Sequence, residues 1–116
     1  MHTKWHGMAP VVCVLATTLP GSWTEAEVGS FAQPIIEARL AACIQIDSIR
    51  SMYRWDGEVC SEKEWRLQLK TTRKNVEPLE AAIVAAHPYE VPQILVWNVD
   101  ASEEYMAWVQ ELGNAQ

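Results

Sequence analysis

The dipeptide Asp56-Gly57 stands between two long segments of strand-forming residues, and it constrains this chain more than any other feature. A two-residue hairpin turn needs positive φ at its central positions, which Asp and above all Gly tolerate, and it fixes the flanking segments in antiparallel register. On the return side the alternation is clean, with Trp65, Leu67 and Leu69 on one face and Glu64, Arg66, Gln68 and Lys70 on the other. On the outgoing side, "CIQIDSIRSMYRW", Ile44 and Ile46 share one parity whereas Ile49, Tyr53 and Trp55 share the opposite one. That switch predicts a bulge or bend near Asp47 and Ser48. Strands of this length overhang the core that a small domain can build, so the far half of the hairpin calls for a cover from elsewhere.

The remaining segments supply what packs on that hairpin. "VVCVLA", Val11 to Ala16, is apolar without alternation, the pattern of a central strand covered on both faces. "GSWTEAEV" offers two capping boxes, Ser22 with Glu25 or Thr24 with Glu27, ahead of a helix that turns Val28, Phe31, Ala32 and Ile35 to one side. Pro34 falls inside it, where proline costs on the order of 3 kcal/mol, and it is expected to kink the helix without ending it. Asn75 is placed to cap a second helix with Val76, Leu79, Ile83 and Ala86 as its stripe, Pro78 in its first turn and Pro88 as its stop. "QILVWNV" reads as another buried strand. Ser102 then caps a last helix with Tyr105, Trp108, Val109 and Leu112 facing inward and Gly113 at its end. The order β-α-β-β-α-β-α predicts an α+β fold: a ferredoxin-like split β-α-β sandwich with a long β-hairpin and an extra C-terminal helix. A length of 116 residues fits a single domain over residues 10–112, with short tails at 1–9 and 113–116.

A formal charge of −6, with no basic cluster to interrupt it, argues against nucleic acid and anionic membrane as partners. Six tryptophans beside a single phenylalanine supply large amphipathic rings of the kind that gather at interfaces, which favours an oligomer. Cys13, Cys43 and Cys60 are widely spaced with no CxxC or CxxH, so neither a disulfide framework nor a zinc finger is written, and reduced thiols in the cytoplasm are expected. The opening "MHTKWHGMAPVVCVLATT" contains Pro10 and lacks an A-x-A cleavage site, so its apolar run is read as a strand and not as a signal peptide. Nothing approaches the roughly 20 apolar residues of a membrane span.

The segment "HPYEVPQILVW" raises the question of function directly. Each proline pushes the residue before it into extended geometry, so Pro88 and Pro92 hold His87, Tyr89 and Glu90 stiffly at the sheet edge. A connector between helix and strand explains both prolines. Rigidly placed polar groups also suit a binding site: His87 for a soft or borderline metal, Glu90 to join or orient it, Tyr89 to donate a hydrogen bond. His87 and Glu90 are not at one-turn helical spacing, so a complete metal site would need distant residues or another chain.

Taken in order, "RLAACIQI", "YRWDGE", "LQLKTT" and "HPYEVPQIL" closely resemble the CutA family of divalent-cation tolerance proteins, over about Pro10 to Leu112. The resemblance implies a tight homotrimer in which the hairpin strands extend the sheets of neighbouring subunits. It also implies a cytoplasmic protein associated with tolerance to copper and other divalent ions, in a trimer that resembles the PII signalling proteins in architecture. On this chain the family's recurring polar or reactive positions fall at Cys43, Tyr53, Trp55, Lys70, His87, Tyr89 and Glu90. "TTLPGSW" replaces a shorter turn after the first strand, Pro34 is unusual in the first helix, and Gln45 stands where asparagine is common.

Two functions follow as expectations. In the first, Cys43, His87 and Glu90 meet across a subunit boundary and bind copper or another divalent metal ion without turnover, since thiolate and imidazole suit such ions. In the alternative, a PII-like intersubunit cleft lined by Tyr53, Trp55, Lys70, Tyr89 and Glu90 takes a small anionic or amphipathic molecule, with Lys70 supplying the charge, or a protein partner. Catalysis is not expected, because no nucleophile elbow, phosphate-binding glycine loop or HExxH is present, and no organic cofactor is implied. Cys13 is assigned to the core and Cys60 to an exposed or interfacial place on the hairpin's return arm.

Overall fold

The computed structural model describes residues 11–113; apart from Gly113, the tails assigned at 1–9 and 113–116 lie outside the described residues, as does the start of the chain read against a signal peptide. The elements are β1 (Val12–Pro20), α1 (Glu25–Glu37), β2 (Cys43–Trp55), β3 (Glu58–Thr72), a single 3-10 turn (Arg73–Asn75), α2 (Val76–Ala86), β4 (Leu95–Val99) and α3 (Glu103–Gln110). The sheet order is β2-β3-β1-β4, and every neighbouring pair is antiparallel. β3 therefore sits between β1 and β2, and β1 between β3 and β4, which is the interleaving of the split β-α-β plan.

The turn at Asp56-Gly57 has φ of 53° and 78°, the two positive values of a type I′ hairpin. From it β2 and β3 pair without a break from Trp55↔Glu58 to Cys43↔Lys70, so the expected bulge near Asp47 and Ser48 is absent from this ladder. The parity switch has a different origin. Ile44 faces the helices and packs on their core, whereas Ile49 and Ser51 are partly buried on the opposite face. The backbone stays regular, and what changes along the strand is the face that is covered. The overhang is real: the subunit measures 51 × 27 × 24 Å, and Trp55 and Met52 near the tip are 57% and 72% exposed.

Two cores follow from the period of two. Leu15, Leu19, Leu67 and Leu69 point from β1 and β3 to one face, where they meet Val28, Phe31 and Ile35 of α1 and Leu79 and Ile83 of α2. Burying each of these large side chains contributes about 1.5–3 kcal/mol. Val12, of opposite parity in β1, packs with Ala42, Met106 and Val109, so α3 lies across the other face of the sheet. β1 is thus covered on both sides, as its unalternating sequence predicts.

Of the two capping boxes, Thr24 with Glu27 is the one formed: Thr24 Oγ1 accepts from the Glu27 N–H, and the Glu27 carboxylate accepts from the Thr24 N–H. α1 continues through Pro34. Ser30, whose carbonyl would have received the missing N–H, is exposed, so water can serve it.

Four expectations about the chain's second half need correction. In α2 the stripe buries Leu79 and Ile83, while Ala86 at its end is exposed. Asn75 makes no side-chain cap; its amide instead donates to the Arg39 carbonyl at 3.5 Å. β4 is not buried: it pairs only with β1, and Leu95, Val96 and Trp97 are exposed. In α3 the inward residues are Met106 and Val109, while Tyr105 and Trp108 stack at 5.6 Å on the outer side. Continuous apolar sequence reads as buried, but in a single subunit an edge strand and an outer helix face remain bare. Among the described residues no helix is long and apolar enough to cross a membrane.

Candidate functional site

β4 pairs with β1 only as far as Ala16, so the last part of β1 has a free edge. The connector that begins at His87 passes round that edge. Pro88 holds His87 extended at φ −74° and ψ 137°, as a residue before proline requires. On the helix side, His87 Nε2 lies 2.8 Å from the Thr18 carbonyl oxygen and 3.1 Å from Thr17 Oγ1, and Nδ1 accepts the Tyr89 N–H at 3.1 Å. With Nδ1 accepting, the proton sits on Nε2 and is donated to Thr18, which makes the ring neutral and leaves no free lone pair. Burial lowers its pKa from 6.5, opposed by the Thr18 carbonyl bond and the charge of Glu64.

On the other side of the edge, the Tyr89 hydroxyl donates to Glu64 Oε2 at 2.7 Å, and the Ser51 hydroxyl donates to Oε1 of the same carboxylate at 2.7 Å. Glu64 is only 9% exposed, and among the described residues no ion pair reaches it. Its two donors are neutral hydroxyls, so this buried carboxyl group has no basic partner among the described residues. Nearby, the Tyr53 hydroxyl donates to Glu62 Oε1 at 2.5 Å. That bond pushes the Tyr53 pKa up to about 12, and burial together with Glu64 raises that of Tyr89.

Ser51, Tyr53, Glu64 and Tyr89 line a cleft of about 600 Å3 between the hairpin and the connector. Its aromatic walls are Tyr53, Trp55 and Tyr89; its carboxylates are Glu64 and Glu90; among the described residues that line it, none is lysine or arginine.

The structure brings four of the expected residues, Tyr53, Trp55, Tyr89 and Glu90, to this one place. Lys70 is not with them. It pairs with Cys43 at the opposite end of the hairpin, roughly 20 Å along β3 from Glu64, and donates to Gln45 Oε1. The expected anion-binding charge is therefore missing from the cleft of this subunit. Cys43 is a half-buried free thiol beside Tyr105 of α3, and His87 lies beyond β1 on the order of 15 Å away. Cys43, His87 and Glu90 are not brought together within one chain, and among the described residues no group of three His, Cys, Asp or Glu is placed to hold a metal ion. A metal site using all three must draw on more than one copy. Cys13 is buried as expected, with its thiol donating to Asn98 Oδ1 at 3.2 Å and its pKa raised by burial; Cys60 is half-buried on the return arm.

Sequence reasoning missed Glu64, Glu62 and Ser51. Glu64 carried a single local cue: it belongs to the polar face of β3 yet lies opposite Ile49, on the face where β2 turns apolar.

An α+β subunit with a four-stranded antiparallel sheet, three helices, a protruding hairpin and a cleft at the hairpin's base defines a ligand-binding or assembly scaffold of the ferredoxin-like type. The family model of the CutA1 divalent ion tolerance protein matches residues 13–112, and the chain belongs to the CutA family. It is 36% identical over 100 residues to the divalent-cation tolerance protein CutA of Thermus thermophilus, a match that covers 84% of this chain and 94% of the relative. The structure of CutA from Synechococcus elongatus superposes with a TM-score of 0.85 at 33% identity, covering 96% of both chains. The PII-like protein CutA from Nostoc in apo form superposes with a TM-score of 0.77 at 32% identity, covering 90% of this chain and 99% of that one.

Proposed function

We propose that this chain is a non-catalytic, cation-binding homotrimer of the cytoplasm that contributes to divalent-cation tolerance, with the cleft between hairpin and connector as its binding site. The observation that carries the reading is the cleft itself: three aromatic rings, two carboxylates and no lining lysine or arginine among the described residues. Such a lining favours positive charge. The trimer is supported by the apolar groups left bare in one subunit away from the cleft, Leu95, Trp97 and Trp108, and by the unpaired outer edges of β2 and β4. The absence of turnover is supported by His87, whose ring nitrogens are committed to structural bonds, and by its separation from the Cys43 thiol.

A second reading is metal capture between copies by Cys43, with His87 and Glu90 of other subunits. It is favoured by one observation, that Cys43 is a partly exposed free thiol, and thiolate suits copper and zinc. It requires His87 to give up one of its two bonds.

Calorimetric titration of the reduced protein with Cu(I), Cu(II) and Zn(II) separates the readings, with sedimentation velocity establishing three copies in every variant. The cleft reading predicts that Glu64→Gln and Glu90→Gln weaken whatever cation the cleft takes and that Cys43→Ser leaves cation binding unchanged. Loss in Cys43→Ser alone would move the site to the subunit boundary.

A further inference from the structure

We propose that the natural ligand of this cleft is an amphipathic organic ammonium ion, an amine with an apolar body, rather than a bare metal ion or an anion. The inference rests on the cleft reading above and adds the chemical class of the occupant.

The first support is a count of donors and acceptors. Three hydroxyls at the cleft have their hydrogens turned onto carboxylates: Ser51 and Tyr89 onto Glu64, Tyr53 onto Glu62. Their oxygens and the remaining carboxylate lone pairs are left as acceptors. A ligand that satisfies them must bring hydrogen-bond donors, and an ammonium group brings up to three N–H donors together with a positive charge.

The second support is the uncompensated carboxylate. Glu64 is 9% exposed and held only by neutral donors, so a cation placed against it gains the interaction that no basic side chain among the described residues provides. Glu90, exposed at the rim, adds a second negative group on the route in.

The third support is shape. A space of about 600 Å3 lies within the range of small-organic-molecule sites and far exceeds one metal ion. The faces of Tyr53, Trp55 and Tyr89, with Met52, Pro88 and Val91 between them, can cover an alkyl or aryl body, and aromatic faces attract a cation directly. A divalent metal ion would want six or more oxygen ligands or a tight set of four, and the described residues hold no such group.

The test is calorimetry of the assembled 116-residue chain with three probes of matched body, n-hexylammonium, n-hexanol and n-hexanoate, with Zn(II) run in parallel. The expected result is saturable binding of hexylammonium at one site per chain, weakened at least about tenfold in Glu64→Gln and in Tyr53→Phe/Trp55→Ala, with hexanoate silent. Glu90→Gln, at an exposed position, guards against misfolding and is expected to weaken binding with the melting temperature unchanged. Equal binding of hexanol or hexanoate would overturn the ammonium assignment and leave the cleft as a site. Zn(II) binding lost in Glu64→Gln, with hexylammonium silent, would likewise reject the organic ligand while keeping a cation cleft. Silence of all four probes would reject both.

Discussion

Replacing Tyr89 by phenylalanine removes one hydroxyl and nothing else, and it tests whether the connector is fastened to the hairpin through Glu64. In the native chain that buried carboxylate accepts two bonds of 2.7 Å, one from Tyr89 and one from Ser51. A hydrogen bond to a charged group contributes about 1.5–3 kcal/mol. Water can enter from the cleft to replace the lost donor, so the lower end, about 1.5 kcal/mol, is expected. Unfolding entropy for 116 residues is about 0.24 kcal/mol/K, so the melting temperature should fall by about 6 °C. The assay is differential scanning calorimetry at one fixed protein concentration, because the transition of a self-associating chain depends on concentration. A cycle with Glu64→Gln isolates the pair: in that background the same substitution should lose most of its effect, with a coupling energy near 1 kcal/mol. A fall below about 1 °C, or an equal fall in both backgrounds, would refute the fastening.

Two further perturbations probe the frame around the site. A Cβ on Gly21 would stand 2.2 Å from the backbone carbonyl oxygen of Lys63, whereas one on Gly29 in α1 meets nothing within 4 Å. Gly21→Ala should therefore destabilise by about 1–3 kcal/mol, and Gly29→Ala should stabilise by about 0.5–1 kcal/mol, both read from chemical denaturation. For pH, burial places the folded-state pKa of His87 below its ordinary value of 6.5. The unfolded chain then takes up the proton first as pH falls, so the stability linked to neutral His87 is present above 6.5 and is lost on acidification through that window. The melting-temperature gap between the native chain and His87→Gln should narrow from about pH 7.5 to about pH 5.5; a constant or widening gap would contradict a buried neutral imidazole.

What was legible in the sequence was what is set locally. The hairpin turn, one of the two capping boxes offered before α1, the alternation through Leu67 and Leu69 and the extended His87 each depend on a few neighbouring residues, and each appears as expected. The family motifs placed Tyr53, Trp55, Tyr89 and Glu90, and the structure gathers all four. Glu64 was hidden because its burial comes from Tyr89, whose connector must first pass round the free edge of β1. Lys70 stands apart from the other four within one chain for the same reason: its distance from the cleft is set by the hairpin register and not by its motif. The apolar runs in β4 and α3 gave the opposite error, since hydrophobicity records burial without saying whether the cover comes from the same subunit.

The most direct test of a cation-binding cleft is a TROSY titration of the 15N-labelled protein with n-hexylammonium, followed at backbone amides and tryptophan indoles. The account predicts shifts at Tyr53, Trp55, Tyr89 and Glu90, with Cys43, Lys70 and Trp108 unmoved. Shifts centred on Cys43 and Tyr105, or no shifts at all, would contradict it.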